Sequence, residues 1–465
     1  MTYRSDVDGL RAIAVLAVVG FHAFPTYVAG GFVGVDMFFV ISGFLISGLI
    51  ADGLTAGNFS FVNFYARRIR RIFPALGIVL ATCMVLGWLI LTPASYALLG
   101  QSTAAAAAFV YNFVLYWEQG YFDTGAEFRP LLHLWSLGVE EQFYLIWPAL
   151  MVLGSRKKGG SLLIAKTLFL FSFAANVVLT TTNSPAAFYL PFSRFWELML
   201  GAFLAIVPFD SLARLRASQS KAIREAASCA GALLLVLAMV LISMTKPFPG
   251  SRALLPTLGT ALLIFAGKDA RLNRAVLSLP LLVYVGLLSY PLYLWHWPIL
   301  TFTRIFRAGE PTALMKAVCI LLALVLADLT YRLIEKPIRF EVAGRTLKTV
   351  LTSSVMVATA IVGFILGESK GMPSRFPAEV RNSFQDYSKQ AYEAYRAKDC
   401  LINVGERFGN CEQDTVARVG HAASHPPGFH DSSWPRSPRI PPAWAHQIAR
   451  AIRADRARTR RFAAC

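Results

Sequence analysis

Residues 67–90 read RRIRRIFPALGIVLATCMVLGWLI, so four arginines within five positions are followed by a long apolar run. A helix needs roughly 20 apolar residues to cross the hydrocarbon core of a membrane. Basic residues beside such a helix lie on the cytoplasmic side. The stretch therefore predicts a spanning helix over 72–92 that enters the membrane from the cytoplasm.

The composition of the whole chain agrees with a membrane protein. Of its 465 residues 55% are hydrophobic and 15% are charged, yet the formal net charge is +18. A soluble domain carries about a quarter charged residues, and a soluble nucleic-acid binder spreads its basic residues over its surface. Here the basic residues form short clusters between apolar segments, which argues against a nucleic-acid partner. The six cysteines form no metal-binding pattern, and no metal is expected.

The charges of the loops predict the topology. The basic clusters at 67–71 and 156–158 should both be cytoplasmic, so an even number of crossings must separate them. Three apolar segments lie between them, and 101–117 is the weakest because polar residues follow its alanine run. We therefore expect 101–117 to be a re-entrant or interfacial segment on the outer side. The candidate segments are 10–24, 32–50, 72–92, 101–117, 137–153, 161–181, 195–207, 226–245, 252–267, 281–302, 313–333 and 347–366.

The predicted fold class is an all-α polytopic membrane protein with about eleven transmembrane helices. The N-terminus is expected in the cytoplasm, and the chain after about residue 368 is expected outside it as a short tail. We expect four parts: a membrane domain with ten spans over 1–340, an eleventh helix in 341–367, an extracytoplasmic linker over 368–415, and a basic low-complexity tail over 416–465.

Ionisable residues inside membrane spans are costly, so they are candidates for function. Arg11 and His22 lie eleven residues apart on one predicted helix. This spacing places them within roughly 20° of the same face and about 16 Å apart along the axis. A cation at the cytoplasmic end and an imidazole near the outer end suit an anionic cofactor entering from inside and a base acting deeper. Alternatively, Arg11 is an interface anchor and His22 a satisfied polar contact.

Residues 30–46 read GGFVGVDMFFVISGFLI and combine several glycines with one carboxylate. Close packing of membrane helices explains the glycines. It does not explain Asp36, because a carboxylate at that depth needs a partner. Arg11 or another basic group is available for this role.

Two other stretches have more than one interpretation. Residues 61–74 are interpreted first as a basic loop that sets the topology, and more specifically as a phosphate site formed by arginines at a helix start. Residues 131–148 place His133 and adjacent carboxylates at the start of a helix, with Tyr144 one turn after Glu140. His296 lies between two tryptophans in 290–298, which an interfacial aromatic belt explains well. It therefore ranks below the other two membrane histidines.

Together these blocks resemble the acyltransferase family 3 membrane O-acyltransferases, over roughly residues 4–340 and in family order. The combination is highly specific, although each block alone is modest. The matching blocks are Asp8-Gly9-Leu10-Arg11 with His22, Gly34-Val35-Asp36 with Ser42-Gly43-Phe44, Arg67–Pro74, Trp135–Tyr144, Tyr290–Pro298 and Glu335-Lys336-Pro337.

The resemblance implies transfer of an acyl group, most often acetyl from cytoplasmic acetyl-CoA, to a hydroxyl of an envelope glycan at the outer face of a bacterial cytoplasmic membrane. It makes His22 the catalytic histidine, either as a base or as a transient carrier of the acyl group, and Glu140 the important carboxylate of its pair. Arg11 would lie in the cofactor path, and Arg68 and Arg71 would bind cofactor phosphates. The further candidates are Asp36, Ser42, His133, Trp135, Tyr144 and His296.

The chain also resembles a longer subgroup, in which an eleventh helix and an extracytoplasmic SGNH hydrolase-like domain follow. An oxidising compartment makes a disulfide between Cys400 and Cys411 a candidate, with two free thiols as the alternative. The expected Gly-Asp-Ser block does not follow Thr415, and residues 416–465 hold nine arginines, two acids and six prolines. We therefore expect a truncated SGNH domain, or alternatively a basic extension that binds anionic glycan or lipid.

Two other functions stay open. A glycan or lipid-linked sugar transporter or flippase would also need many spans and buried charges, but the sequence has no evident repeat with paired broken helices. The other possibility is an enzyme that is inactive because its second domain is missing.

Overall fold

The computed structural model describes residues 3–118, 126–207, 221–307, 309–341, 343–378 and 381. Within these ranges every regular element is a helix, as the apolar segments predict. The α-helices are α1 Ser5–Ala23, α2 Gly34–Thr55, α3 Phe61–Ile90, α4 Pro93–Ala107, α5 Tyr111–Glu118, α6 Trp135–Ser155, α7 Gly160–Thr182, α8 Ser184–Tyr189, α9 Phe195–Ile206, α10 Lys221–Leu241, α11 Leu254–Ala266, α12 Pro280–Arg307, α13 Ala313–Thr330, α14 Lys336–Phe340 and α15 Arg345–Glu368.

Every predicted segment except 101–117 coincides with one helix. In that segment α4 ends at Ala107, Phe109 adopts a positive φ of 55°, and α5 begins at Tyr111. The turn lies beside α6, because the side-chain amide of Gln142 donates to the carbonyl oxygen of Phe109 at 2.7 Å. Residues 101–117 therefore do not form one continuous helix.

Six helical segments in the described ranges are long and apolar enough to cross a membrane, so the protein is a multi-pass membrane protein. Two further apolar helices, α9 and α11, are shorter. The total of eleven crossings stays a prediction. The six segments are Gly31–Thr55, Phe61–Ile90, Gly160–Thr182, Lys221–Leu241, Ala313–Phe340 and Arg345–Glu368.

Glycines let two pairs of helices approach closely. A Cβ atom at Gly286 of α12 would lie 1.9 Å from the carbonyl oxygen of Asp8 in α1. A Cβ atom at Gly43 of α2 would lie 1.9 Å from the carbonyl oxygen of Leu198 in α9. Small residues permit such backbone contact between membrane helices. The first contact places α1 beside α12, and these helices carry two of the three membrane histidines.

The arginines of 61–74 lie in a helix, so the basic-loop interpretation is wrong about their local structure. α3 begins at Phe61 after Ser60, whose hydroxyl accepts a hydrogen bond from the backbone N–H of Asn63 at 3.4 Å. A serine N-cap favours helix initiation. The helix then continues through Arg67–Arg71, which form its second and third turns.

Cys400 and Cys411, the tail over 416–465 and most of the predicted linker over 368–415 lie outside the described residues. The disulfide, the domain boundaries in this region and the truncated SGNH domain stay predictions.

Candidate functional site

Three membrane histidines meet at the ends of α1 and α12 that are predicted to face outward. His22 Nδ1 lies 2.9 Å from His296 Nε2, and the two rings are stacked with their centroids 5.2 Å apart. His133, in the turn before α6, has its ring centroid 5.6 Å from that of His296. His133 and His296 are buried, and His22 is half-buried. Residues far apart in the sequence thus form one imidazole cluster.

The contacts of His296 determine which nitrogen of His22 is a base. His296 Nδ1 lies 3.1 Å from the carbonyl oxygen of Leu292. A carbonyl oxygen only accepts, so Nδ1 of the neutral ring carries the proton and Nε2 carries the lone pair. His22 Nδ1 then donates its proton to that lone pair, which leaves His22 Nε2 unprotonated. A histidine held in this way has one ring nitrogen, Nε2, that is able to accept a proton.

His296 and its flanking tryptophans differ from the sequence-based interpretation. The sequence favours His22 and His133 over His296 as functional candidates and predicts an interfacial belt for the two tryptophans. Trp295 and Trp297 are both buried, and the Trp297 ring centroid lies 4.5 Å from that of His22. The belt interpretation is wrong because α12 is enclosed by α1, α13 and the segment before α6.

Glu140 of α6 forms a hydrogen bond with α2. Its Oε1 accepts hydrogen bonds from the hydroxyls of Ser42 and Tyr144. The Tyr144 ring centroid lies 5.9 Å from the guanidinium carbon of Arg68. Helix spacing predicts the contact with Tyr144, whereas the contact with Ser42 depends on the fold. In the neighbouring Glu141, Oε1 is buried and has no hydrogen-bond partner. Glu141 therefore provides an acceptor that no described residue uses.

Arginines converge at the other end of α1, which is predicted to face the cytoplasm. Arg71 lies within electrostatic range of Arg11, Arg68 and Arg339. Arg11 donates to Asp8 at 3.2 Å, and Arg68 has a buried Nε without a hydrogen-bond partner. Like charges this close repel each other, so the cluster favours a bound anion.

Asp36 pairs with Arg194, a residue that the sequence analysis missed. Asp36 Oδ1 lies 2.9 Å from Arg194 Nη2, Glu197 Oε1 lies 2.9 Å from Arg194 Nη1, and the three side chains are at most 1% exposed. The ring of Trp135 lies 5.9 Å from the same guanidinium carbon, which places Trp135 in this buried group. A carboxylate inside the predicted span 195–207 was the signal that could have identified Glu197.

A second charged group lies beside the histidine cluster. Arg304 Nη2 donates to the carbonyl oxygen of His22 at 3.3 Å, and Arg304 Nε donates to Glu310 at 2.9 Å. Lys316 Nζ lies 2.8 Å from the other oxygen of Glu310. Partial burial of Glu310 opposes its ionisation, but Lys316 and Arg304 outweigh this and lower the pKa of the carboxyl. Arg304 lies just beyond the predicted span 281–302, so it was not among the intramembrane charges that the sequence indicates.

The site therefore has a base and a cluster of cations toward opposite ends of α1. Arg11 and His22 are about 16 Å apart along the helix. Such a site can bind a phosphate-bearing molecule at one end and remove a proton from a hydroxyl at the other. Within the described ranges, no group of three or more His, Cys, Asp or Glu side chains is arranged to hold a metal ion.

Comparison with known proteins identifies a family that matches most of the chain. The acyltransferase 3 family, described as an acyltransferase domain, matches residues 4–332. The chain belongs to the acyltransferase 3 family. The matched region contains α1 through α13 and every residue of the site described above except Arg339.

Members of the acyltransferase 3 family that resemble this chain are named O-acetyltransferases. The peptidoglycan O-acetyltransferase OatA of Listeria monocytogenes is 30% identical over 348 residues, covering 72% of this chain and 56% of OatA. YrhL of Bacillus subtilis, a provisionally named peptidoglycan O-acetyltransferase, is 30% identical over 352 residues, which cover 73% of this chain and 55% of YrhL. This chain thus spans just over half the length of these curated relatives. No solved structure matches it.

Proposed function

We propose that this protein transfers an acyl group, acetyl from cytoplasmic acetyl-CoA, to a hydroxyl of a cell-surface or periplasmic saccharide. The observation that carries the proposal is the hydrogen-bonded chain from His22 through His296 to the carbonyl oxygen of Leu292, because it leaves His22 Nε2 free as a base. The names of the relatives support an acetyl group and an acceptor of the peptidoglycan type.

The chemistry requires a base at the acceptor hydroxyl. A saccharide hydroxyl is a poor nucleophile near neutral pH and gains from a positioned general base. His22 Nε2 accepts the hydroxyl proton while the hydroxyl oxygen forms the ester bond to the acyl carbon. The bond between that carbon and the sulfur of the thioester breaks, and His22 returns the proton to the thiolate. Imidazole suits both transfers because it exchanges protons near neutral pH.

The arginine cluster supports coenzyme A as the carrier of the acyl group. Coenzyme A supplies that group as a thioester and carries several phosphates. Arg11, Arg68 and Arg71 provide guanidinium groups for these phosphates, and the unpartnered Nε of Arg68 is a donor available to a bound anion. Since His22 lies about 16 Å farther along α1, the proposal places the thioester end of an extended donor at His22.

The proposal includes an orientation in the membrane. The arginine cluster faces the cytoplasm, where acetyl-CoA is made, and the histidine cluster faces the envelope glycan. The N-terminus is then cytoplasmic, and the chain after α15 is extracytoplasmic. For this arrangement the membrane is the bacterial cytoplasmic membrane.

The substitution His22→Ala tests the proposal against transport without catalysis. The full chain in nanodiscs is given radiolabelled acetyl-CoA and a peptidoglycan-derived saccharide, and labelled saccharide is counted. We expect His22→Ala to lower the transfer rate by about 100-fold or more, since it removes the base. Thr26→Ala, an exposed position in the loop after α1, is the matched control and should keep the wild-type rate. An unchanged rate in His22→Ala would exclude His22 as the base.

A further inference from the structure

Arg304 is built into the same group of side chains as the base. Its guanidinium donates to the backbone carbonyl of His22 at 3.3 Å, and its guanidinium carbon lies 5.7 Å from the ring centroid of Trp297. That ring lies 4.5 Å from the ring of His22. The guanidinium of Arg304 and the imidazole of His22 therefore contact the same indole ring, and Arg304 also contacts the backbone of His22.

One donor group of Arg304 is not used within the described part of the chain. The side chain is only 7% exposed, yet Nη1 is buried without a hydrogen-bond partner. A buried charged donor without an acceptor costs free energy. Arg304 and Lys316 moreover share one carboxylate, that of Glu310. The group thus has a buried cation that shares its carboxylate with a second cation, carries an unused donor, and contacts the backbone of the residue proposed as the base.

We propose that Arg304 Nη1 binds a carboxylate of the acceptor saccharide while a hydroxyl of the same saccharide reaches His22 Nε2. This inference rests on the proposed function, because it concerns the acceptor in that reaction. It adds that the acceptor is an acidic saccharide. A phosphate of a lipid headgroup could also bind a guanidinium, and the experiment below separates the two sources.

Binding of two matched saccharides tests the proposal directly. The first probe is a trisaccharide that contains a hexuronic acid, and the second is its carboxyl-reduced form, which differs only in carrying a hydroxymethyl group. Affinities are measured for the full chain in phosphatidylcholine nanodiscs. A hydrogen bond to a charged group contributes about 1.5–3 kcal/mol, so the wild type should bind the acidic probe about tenfold to hundredfold more tightly.

Substitutions at two arginines of α12 assign the preference to one side chain. In Arg304→Gln the ratio of the two dissociation constants should fall to about one, and Arg304→Lys should keep part of it because the charge remains. Arg307→Gln is the matched control, since Arg307 is an exposed arginine three residues farther along α12. It should keep the wild-type ratio. An equal affinity of the wild type for both probes, or an unchanged ratio in Arg304→Gln, would overturn the proposal.

Two further measurements separate the remaining explanations. The phosphate of phosphatidylcholine is balanced by its choline cation, so nanodiscs with phosphatidylglycerol, whose headgroup has a net negative charge, show whether an anionic headgroup competes. If they abolish the preference in the wild type, the anion belongs to the lipid and the saccharide assignment is wrong. Transfer of label from acetyl-CoA to the peptidoglycan-derived saccharide is measured in parallel. Absence of transfer alone would contradict the proposed function, whereas the binding ratio would still decide the role of Arg304.

Discussion

His22 is held by side chains on one neighbouring helix. His296 accepts the Nδ1–H of His22 at 2.9 Å, and Trp297 places its ring centroid 4.5 Å from that of His22. Both residues belong to α12, so the tautomer and the orientation of the base depend on the packing of α1 against α12. The sequence predicted His22 as a candidate, but not these partners, because His296 follows it by 274 positions.

Replacing His296 should lower the catalytic rate more than it weakens substrate binding. His296→Leu keeps a similar volume but offers His22 Nδ1–H no acceptor, so the imidazole is no longer held in one tautomer. We expect kcat to fall by about tenfold or more. This is less than the full contribution of a general base, because His22 itself is still present. KM for the acceptor should change little. His296→Gln, whose side-chain oxygen accepts a hydrogen bond, should restore part of kcat. A raised KM with unchanged kcat in His296→Leu would contradict this positioning role.

Replacing Arg194 should destabilise the protein, because two buried carboxylates lose their cation. Arg194→Met leaves Asp36 and Glu197 buried without their cation. Removing one partner of a buried ion pair typically costs about 3–5 kcal/mol, so thermal unfolding in detergent should begin at a clearly lower temperature. The control is the triple variant Asp36→Asn, Arg194→Met, Glu197→Gln, which removes all three charges and should recover much of the loss. Equal stability of the single variant and the wild type would contradict the ion-pair assignment.

At the scale of elements, close helix contacts position the site. α2 and α9 run in the same direction, and each presents a glycine to the backbone of the other. A Cβ atom at Gly201 would lie 1.9 Å from the carbonyl oxygen of Val40, which mirrors the contact of Gly43 with Leu198. This contact keeps the starts of α2 and α9 together, where Asp36 meets Arg194. The sequence pattern indicated close packing through the glycines of 30–46, which include Gly43, but it did not identify Gly201 or pair α2 with α9.

Substituting Gly43 should force these helices apart. In Gly43→Ala the added Cβ would meet the carbonyl oxygen of Leu198 at 1.9 Å, so a backbone must move. Overpacking of this kind costs about 1–3 kcal/mol. The protein is heated to a series of temperatures, and the temperature at which the folded peak is lost in size-exclusion chromatography should be lower than for the wild type. Gly77→Ala in α3 is the control, because its Cβ would have ordinary contact with Val355 at 3.6 Å. A Gly43→Ala variant as stable as Gly77→Ala would contradict the close contact.

At the scale of the whole molecule, apolar side chains cover much of the surface as well as filling the core. Several large apolar residues in each of α7, α10, α13 and α15 are more than half exposed, as a surface in contact with lipid requires. Ionisable side chains such as Asp36, Arg194 and His296 are buried. A soluble globule does not expose so many large apolar side chains, which agrees with the composition.

The predicted orientation can be checked by labelling single cysteines in a background without the native cysteines. We expect a membrane-impermeant maleimide to label Tyr27→Cys and Lys370→Cys in intact cells, since both positions belong to the predicted outer side. Lys157→Cys, in the basic loop between α6 and α7, should react only after the membrane is made permeable. Labelling of Lys157→Cys in intact cells would contradict the predicted topology.

The sequence by itself determined the helical class, the positions of the long helices and the candidate polar residues. It could do so because the length of an apolar segment and the charges beside it are local properties that a bilayer selects. Only the tertiary structure decided that 101–117 breaks at Phe109, that His296 lies beside His22, and that Arg194 is the partner of Asp36. These features depend on which helices touch, and side-chain contacts between distant segments leave no periodic signal in the sequence.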